Sequence, residues 1–110
     1  MKVANRDARH EVESRRNFRG ANTYGENVTV NHNEMYVVYS YGKHFPLFLW
    51  IEGQWYENQD RYSVSTSRHK SQLRPLAGVS RILVATRDLQ RMIESGRTLV
   101  AGGVNPAMGW

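Results

Sequence analysis

Two consecutive segments of strand-forming residues, 35–41 and 45–51, constrain this fold more than any other feature of the sequence. Both are rich in aromatic and β-branched side chains, as strands are. The short link between them predicts antiparallel neighbours. Alternate positions of a strand point to opposite faces of its sheet, and here both sets of positions are apolar. We therefore expect two central strands that are covered on both faces, because a wet face would carry polar residues.

Shorter segments extend these two strands into a β-meander. Further strands are predicted at residues 28–30, 54–57 and 61–65, and turns at residues 31–34, 42–43, 52–53 and 58–60. Glycine in two of the turns favours tight hairpins. Leu47 is expected to share a face with Leu49 and Ile51, opposite Phe48. Pro46 cannot donate to a ladder, so we expect it at a strand start or at a bulge.

Two helices are predicted, one before and one after the meander in the sequence. Residues 5–18 form a polar helix, ended by Gly20, whose thin apolar stripe indicates a surface position. Residues 87–95 form a second helix, with Thr86 as the N-cap residue and Gly96 at its end. Its apolar side consists of Leu89, Met92 and Ile93. We expect this helix to cover the second face of the sheet.

The predicted fold class is α+β: an antiparallel β-meander of four to five strands, a short N-terminal helix and a C-terminal helix packed on one face. Residues 80–85 and 98–101 add further strand candidates. A chain of 110 residues fits one domain. We therefore predict a single α+β domain over residues 1–101 and a mobile, glycine-rich C-terminal tail over residues 102–110.

Composition excludes several classes of function. The chain has no cysteine, so disulfides, thiolate zinc sites and cysteine nucleophiles are ruled out. Its four histidines form no close ligand pair, and we expect neither metal nor cofactor. Glu52, Glu57 and Asp60 are predicted at turns, as solvated acids. No apolar run approaches the ~20 residues that span a bilayer. The N-terminus lacks a signal peptide's apolar stretch, so we expect a cytoplasmic protein without a membrane partner.

Charge is unevenly distributed along the chain. Residues 1–20 carry a net charge of +3, residues 21–60 of −4 and residues 61–97 of +6, for a total of +5. A mildly acidic meander thus lies between two basic segments. This asymmetry is compatible with an anionic partner, and equally with an ordinary solvated surface.

The segment that leaves the meander, residues 65–74, is dense in hydroxyl groups and cations. Such groups beside a helix start favour an anion site, whereas the structural alternative is a polar helix cap or an ordered loop. Arg81 could extend the positive field. The candidate binding residues are Arg61, Ser65, Ser67, Arg68, His69, Lys70 and Arg74.

Aromatic side chains are frequent on the predicted strands. Exposed aromatics beside cations can stack nucleic-acid bases, but cross-strand core pairs explain them equally. We assign Phe48 and Trp50 to the core and leave both interpretations open for Trp55, Tyr56 and Tyr62.

Three blocks of the sequence resemble a family of small bacteriophage proteins. The blocks are residues 36–48 (YVVYSYGKHFPLF), 55–58 (WYEN) and 62–72 (YSVSTSRHKSQ), followed by Pro75. The resemblance implies a phage origin and the bacterial cytoplasm as the setting, and it carries over no catalytic residue. If the shared blocks mark a site, it implies His44, Trp55, Ser67 and His69 as members.

Three functions remain open at this point. The leading hypothesis is a non-enzymatic phage accessory protein that binds a host or phage macromolecule, in the first place another protein. The second is a nucleic-acid-binding module that uses the basic flanks and residues 65–74. The third is a small enzyme acting on an anionic substrate, with His69 as acid–base and Arg68 or Lys70 as clamp.

Overall fold

The described residues form one six-stranded sheet, with its strands side by side in the order of the sequence. The computed structural model describes residues 5–20, 22–41, 45–60, 68, 70, 73 and 80–98. The strands are β1 (Phe18–Arg19), β2 (Thr23–Val30), β3 (Asn33–Ser40), β4 (Pro46–Ile51), β5 (Gln54–Asn58) and β6 (Arg81–Val84). The helices are α1 (Asn5–Glu13) and α2 (Thr86–Ser95). The α+β class is confirmed, with more strands than the four to five predicted.

Strands β2 to β5 form the predicted antiparallel meander, and β1, which was not predicted, adds a further antiparallel strand beside β2. Two-residue turns join β2 to β3 at Asn31 and His32, and β4 to β5 at Glu52 and Gly53. All four residues have positive φ, the conformation of hairpin turns whose twist matches that of the strands. The predicted turn over 31–34 was too long, because Asn33 already pairs with Val30. Strand β2 likewise starts earlier than residue 28, since its polar exposed positions hid its length.

A β-bulge shifts the register between β3 and β4. Tyr39 pairs with Pro46, whereas Val38 pairs with Phe48, which leaves Leu47 as the extra residue. Leu47 and Phe48 consequently pack in the same core cluster, so the predicted alternation of Leu47 with Phe48 was wrong. Pro46 is the first residue of β4 and adjoins the bulge, as its missing N–H requires.

Apolar clusters cover both faces of the sheet, as the two-sided central strands predicted. The α1 face contains Ala8, Val12, Phe18, Tyr36, Val38, Leu47, Phe48, Trp55 and Leu73. The α2 face contains Met35, Val37, Tyr39, Leu49, Ile51, Tyr56, Leu89 and Met92. The predicted cover by the C-terminal helix is confirmed. The N-terminal helix is shorter than predicted and less superficial: it ends at Glu13, and its two apolar residues are fully buried.

Strand β6 joins the sheet parallel to β5. Parallel neighbours need a crossover connection, which usually contains a helix. Arg68, Lys70 and Leu73 in this connection have helical backbone, and Leu73 is fully buried on the α1 face. The predicted strand at residues 61–65 lies outside the described residues, and β6 occupies the edge of β5 that does not pair with β4.

Other predictions fall wholly or partly outside the described residues: the turn at 42–43, most of the strand candidate at 98–101, and the tail at 102–110. Thr98 itself is not in a strand. Within the described ranges, no helix has both the length and the apolar character needed to cross a membrane.

Candidate functional site

The site lies at one end of the sheet, where β3, β5 and β6 end and β4 begins; we call it the exit end. Ser40 N donates to Phe45 O at 3.0 Å across the β3–β4 connection. Asn58 Nδ2 donates to Pro46 O at 2.8 Å, which ties the last residue of β5 to the first residue of β4. Hydrogen bonds therefore connect the ends of β3, β4 and β5 at the exit end.

A buried carboxylate holds two cations on the α1 face of the exit end. Glu57 is only 5% exposed. Arg81 Nε lies 2.8 Å from Glu57 Oε1, and Lys70 Nζ lies 3.8 Å from Glu57 Oε2. Lys70 Nζ also donates to Asn58 O at 3.0 Å. This group joins β5, β6 and the crossover, and the prediction of Glu57 as a solvated turn residue was wrong.

Asn58, which is fully buried, joins the strand ends to the second helix. Its amide donates to Thr86 Oγ1 at 2.9 Å, and its Oδ1 accepts from Asp60 N at 2.8 Å. A buried amide of this kind needs partners for both its donors and its acceptor. The side chain thereby positions Asp60 beside the N-terminus of α2.

The N-terminus of α2 is capped by a residue that lies 26 positions away in the sequence. Ala85 is the N-cap residue and makes no side-chain cap bond, so the prediction of Thr86 as the cap was wrong. Asp60 Oδ2 instead accepts from Thr86 N at 2.8 Å. Hydrogen bonds from the Thr86 side chain and main chain hold the pKa of Asp60 below its ordinary value, against the opposing effect of burial. The carboxylate also faces the positive end of the helix dipole.

We expect Asp60→Asn to lower the free energy of unfolding at pH 7 by about 0.5 to 1 kcal/mol, because it removes a charged cap. A carboxyl with a depressed native pKa stabilises the fold above its unfolded pKa, and this stabilisation disappears as pH falls through the native pKa. Wild type should therefore lose its advantage over the variant below about pH 4. Urea titrations from pH 7 to pH 3 measure this. Asp88→Asn, which removes an acidic residue from the first turn of α2, is the matched control. An equal loss of stability in that variant would contradict the cap.

The C-terminus of α2 is held by the β2–β3 turn. Asn31 Nδ2 donates to Ser95 O at 2.7 Å, and Asn33 Nδ2 donates to Gly96 O at 2.6 Å. Gly96 has φ of +69°, which confirms it as the helix end. Because this turn lies at the end of the sheet opposite the exit end, α2 crosses its face from one end to the other.

Large apolar side chains are exposed around the exit end. Among the described residues, Tyr41 is 52%, Phe45 41% and Leu83 56% exposed. Tyr41 follows β3 and Phe45 precedes β4. Leu83 pairs with Glu57, one residue before β5 ends. The exposed cation Arg87 lies in the first turn of α2, directly after β6 ends. The exit end thus combines apolar and cationic surface.

Several residues of the sequence-predicted site fall outside the described part of the chain: Arg61, Ser65, Ser67, His69, Arg74 and His44. Of the others, Arg68 is exposed, whereas Lys70 is half-buried and bonded to Asn58 rather than presented as a clamp. Trp55 is 6% exposed, with its ring edge-to-face against those of Tyr36 and Phe48. Trp55 is therefore a core residue and does not join Arg68 and Lys70 at a surface.

The surroundings of the remaining aromatic and titratable side chains indicate that they contribute to packing rather than to catalysis. Phe48 is fully buried, as predicted, and Trp50 is half-buried with the Arg15 guanidinium 4.2 Å above its ring. Tyr56 also belongs to the core. Burial raises the pKa of Tyr36, whose hydroxyl donates to Arg16 O at 2.7 Å. Within the described ranges, no group of three or more His, Asp or Glu side chains is placed to hold a metal ion.

Sequence reasoning missed Leu83 and Glu57. Leu83 alternates with Ile82 and Val84, which pack against the α2 face, so the period of two placed it on the other face. The alternation of residues 82–84 does not indicate that β6 lies at the edge of the sheet. Glu57 followed two aromatic residues of a predicted strand, which was a signal for burial with a cationic partner.

Comparison of the chain with protein-family models, curated proteins and solved structures finds no match. The resemblance to bacteriophage proteins accordingly stays a prediction.

Proposed function

We propose that this chain is a non-enzymatic bacteriophage accessory protein that binds another protein, of the host or of the phage, in the bacterial cytoplasm. One observation carries the proposal: the exposed large apolar side chains of the described chain, Tyr41, Phe45 and Leu83, all lie towards the exit end. Exposed apolar clusters with a polar rim are typical of protein-binding surfaces.

The composition of this surface supports a protein partner. Aromatic residues and arginine are enriched at protein interfaces, and the exit end presents Tyr41, Phe45 and Arg87. The interior beneath is rigid, because Asn58 and Glu57 tie β4, β5, β6 and α2 together. A rigid base lowers the entropy lost on binding.

Replacing exposed apolar residues tests this function. We expect wild-type protein, immobilised as bait, to retain at least one bacterial or phage protein from lysate of infected cells. Phe45→Ser/Leu83→Ser should reduce that capture at least about tenfold, since anchor residues dominate interface energetics. Thr29→Ser/Glu34→Ser, at exposed strand positions outside the exit end, is the matched control and should capture as wild type does. Capture that is absent, or equal for both double variants, would contradict the proposal.

Nucleic-acid binding is the second candidate, and one packing observation favours it. Ala8 and Val12 of α1 share a core cluster with Leu73 of the crossover, so segments from both basic regions cover the same face. Arg9 and Arg68 are exposed there, while Glu57 offsets part of the charge of Lys70 and Arg81. Gel shifts with single- and double-stranded DNA and RNA at low salt test it. Binding should weaken steeply with salt, and its absence at low salt would remove this candidate.

A further inference from the structure

We propose a second binding site, for single-stranded nucleic acid, at the end of the sheet opposite the exit end. There an unpaired base stacks on the guanidinium of Arg15, and the adjoining phosphate accepts hydrogen bonds from Arg15 and Asn17. Both residues belong to the α1–β1 loop, residues 14–17. The site is separate from the proposed protein-binding surface and adds a function to it.

The guanidinium of Arg15 is held in place by an aromatic ring. Its Cζ lies 4.2 Å from the centroid of the Trp50 ring, within the range of cation–π contacts. Trp50 is the next-to-last residue of β4 and packs against the apolar cluster of the α1 face, so its ring is a fixed support. Arg15 is exposed, and its guanidinium makes no hydrogen bond or ion pair with any described residue. Its outer face and its N–H donors are therefore available to a ligand.

The backbone of Arg15 adopts a conformation that favours glycine, with φ of +53°. Arg15 N donates to Val12 O at 3.0 Å and Arg16 N to Glu11 O at 2.8 Å, as at helix ends where glycine is usual. A left-handed backbone costs an L-residue free energy, and strain of this kind is concentrated at functional sites. The strained residue is also the one that contacts Trp50.

The sheet occupies the acceptors of the α1–β1 loop. Arg15 O accepts from Asn27 Nδ2 at 3.0 Å, and Arg16 O accepts from the Tyr36 hydroxyl at 2.7 Å. Asn17 Oδ1 accepts from Asn27 N at 2.7 Å and from Asn27 Nδ2 at 2.9 Å. These bonds fix the Asn17 amide, whose Nδ2 donates to no described residue. With these acceptors used and the donors of Arg15 and Asn17 unused, the loop suits an oxyanion such as phosphate.

Charge around the α1–β1 loop favours an anion even when the acids are counted. Residues 8–20 carry four arginines and two glutamates, a net charge of +2. Arg16 offsets Glu11, since its Nε and Nη2 lie 3.2 Å and 3.4 Å from the two carboxylate oxygens. Glu13 is half-buried, and its Oε2 is buried away from solvent. The remaining excess of positive charge attracts a phosphate.

Stacking distinguishes a nucleotide from other anions at this site. A protein carboxylate would use only the N–H edge of the Arg15 guanidinium, whereas an unpaired base also covers its outer face. The base, Arg15 and Trp50 then form one stack, with the phosphate at its edge. Sites for single strands combine cations and aromatic rings in this way.

Fluorescence anisotropy with labelled oligomers tests the inference. The probe is a fluorescein-labelled oligothymidylate of about 12 nucleotides, titrated with the full chain at low salt. An abasic oligomer with the same phosphates and a glutamate peptide of the same length should each bind at least about fivefold more weakly, because neither offers a base to stack. The inference is overturned if the oligothymidylate does not bind, or if either comparison oligomer binds as tightly.

Variants of two neighbouring arginines separate stacking from charge. Arg15→Lys keeps the charge but removes the planar guanidinium, and should weaken oligothymidylate binding at least about fivefold. Arg16→Lys is the matched control, because Arg16 already pairs with Glu11, and should stay within about twofold of wild type. Equal affinities for Arg15→Lys and wild type, or equal losses in the two lysine variants, would overturn the inference.

Arg15→Gly removes the side chain without straining the backbone. Circular dichroism should show this variant folded, because glycine adopts the left-handed conformation readily. Its affinity for oligothymidylate should fall at least about tenfold, and the dependence of log affinity on log salt should lose about one unit of slope. An unchanged slope would show that Arg15 contacts no phosphate and would overturn the inference. If Arg15→Gly fails to fold, Arg15→Lys decides.

The outcome can be read separately from that for the proposed function. Phe45→Ser/Leu83→Ser changes only the exit end and should bind oligothymidylate within about twofold of wild type. If oligothymidylate binding fails while lysate capture still depends on the exit end, the nucleic-acid site is wrong and protein binding stands. If capture fails while oligothymidylate binding depends on Arg15, the reverse holds. Loss of oligothymidylate binding in the exit-end variant would overturn a separate site.

Discussion

Glu57→Gln should lower the free energy of unfolding by about 3 kcal/mol, the typical loss when one member of a buried ion cluster is removed. The substitution keeps the size of the side chain and deletes its charge. Arg81 and Lys70 then face each other in a half-buried site, without the carboxylate that lies 2.8 Å and 3.8 Å from them. Urea unfolding monitored by tryptophan fluorescence measures the loss.

Two further variants serve as controls for this prediction. Glu52→Gln removes an exposed acid from the same hairpin and should change stability by less than about 0.5 kcal/mol. The double variant Glu57→Gln/Arg81→Gln should be more stable than the sum of its single changes predicts, because both changes remove the same ion pair. A loss below about 1 kcal/mol for Glu57→Gln would show that solvent already screens the cluster.

Gly96→Ala should also destabilise the protein by about 3 kcal/mol, for two separate reasons. Gly96 has φ of +69°, which an L-residue adopts at a cost of about 1 kcal/mol. A Cβ at this position would in addition overlap the main-chain carbonyl of Val30. Val30 pairs with Asn33 across the tight β2–β3 turn, so its carbonyl cannot move without disturbing the hairpin.

Gly53→Ala separates the two contributions. Gly53 has nearly the same conformation, with φ of +77°, but a Cβ there meets nothing within 4 Å. Its substitution should therefore lower stability by only about 1 kcal/mol, the conformational part alone. Equal losses for the two variants, measured by urea unfolding under the same conditions, would show that α2 shifts away from Val30 at little cost.

Local sequence patterns predicted the meander and α2 because the residues that determine these elements lie close together in the chain. Alternating apolar residues, tight turns and the glycine after α2 all act within a few positions of the chain. The apolar positions on both faces of β3 and β4 also correctly predicted two covering layers. The boundaries of α1 and β2 were wrong because their exposed residues are polar, and polar residues are compatible with helix, strand and loop alike.

Long-range pairing accounts for what the sequence did not reveal. Nothing within residues 80–85 says that they pair with β5 in parallel, and nothing near Glu57 identifies Arg81, 24 positions away, as its partner. The same holds for Asp60, which caps a helix that begins 26 positions later. Trp55 entered the candidate site through the resemblance and as one of the aromatics that could stack bases, and its burial assigns it to the core.

The position of α2 along the chain has a consequence for synthesis of the protein. It is the last described element, and it covers a face whose strands, β2 to β5, are made before it. Until the ribosome has released α2, Met35, Val37 and Leu49 have no helix above them, and Asn31 and Asn33 lack their partners at its end. A nascent chain therefore presents a bare apolar sheet to the cell, the kind of surface that chaperones bind. Association of neighbouring nascent chains through this exposed face is the hazard that packing of α2 removes.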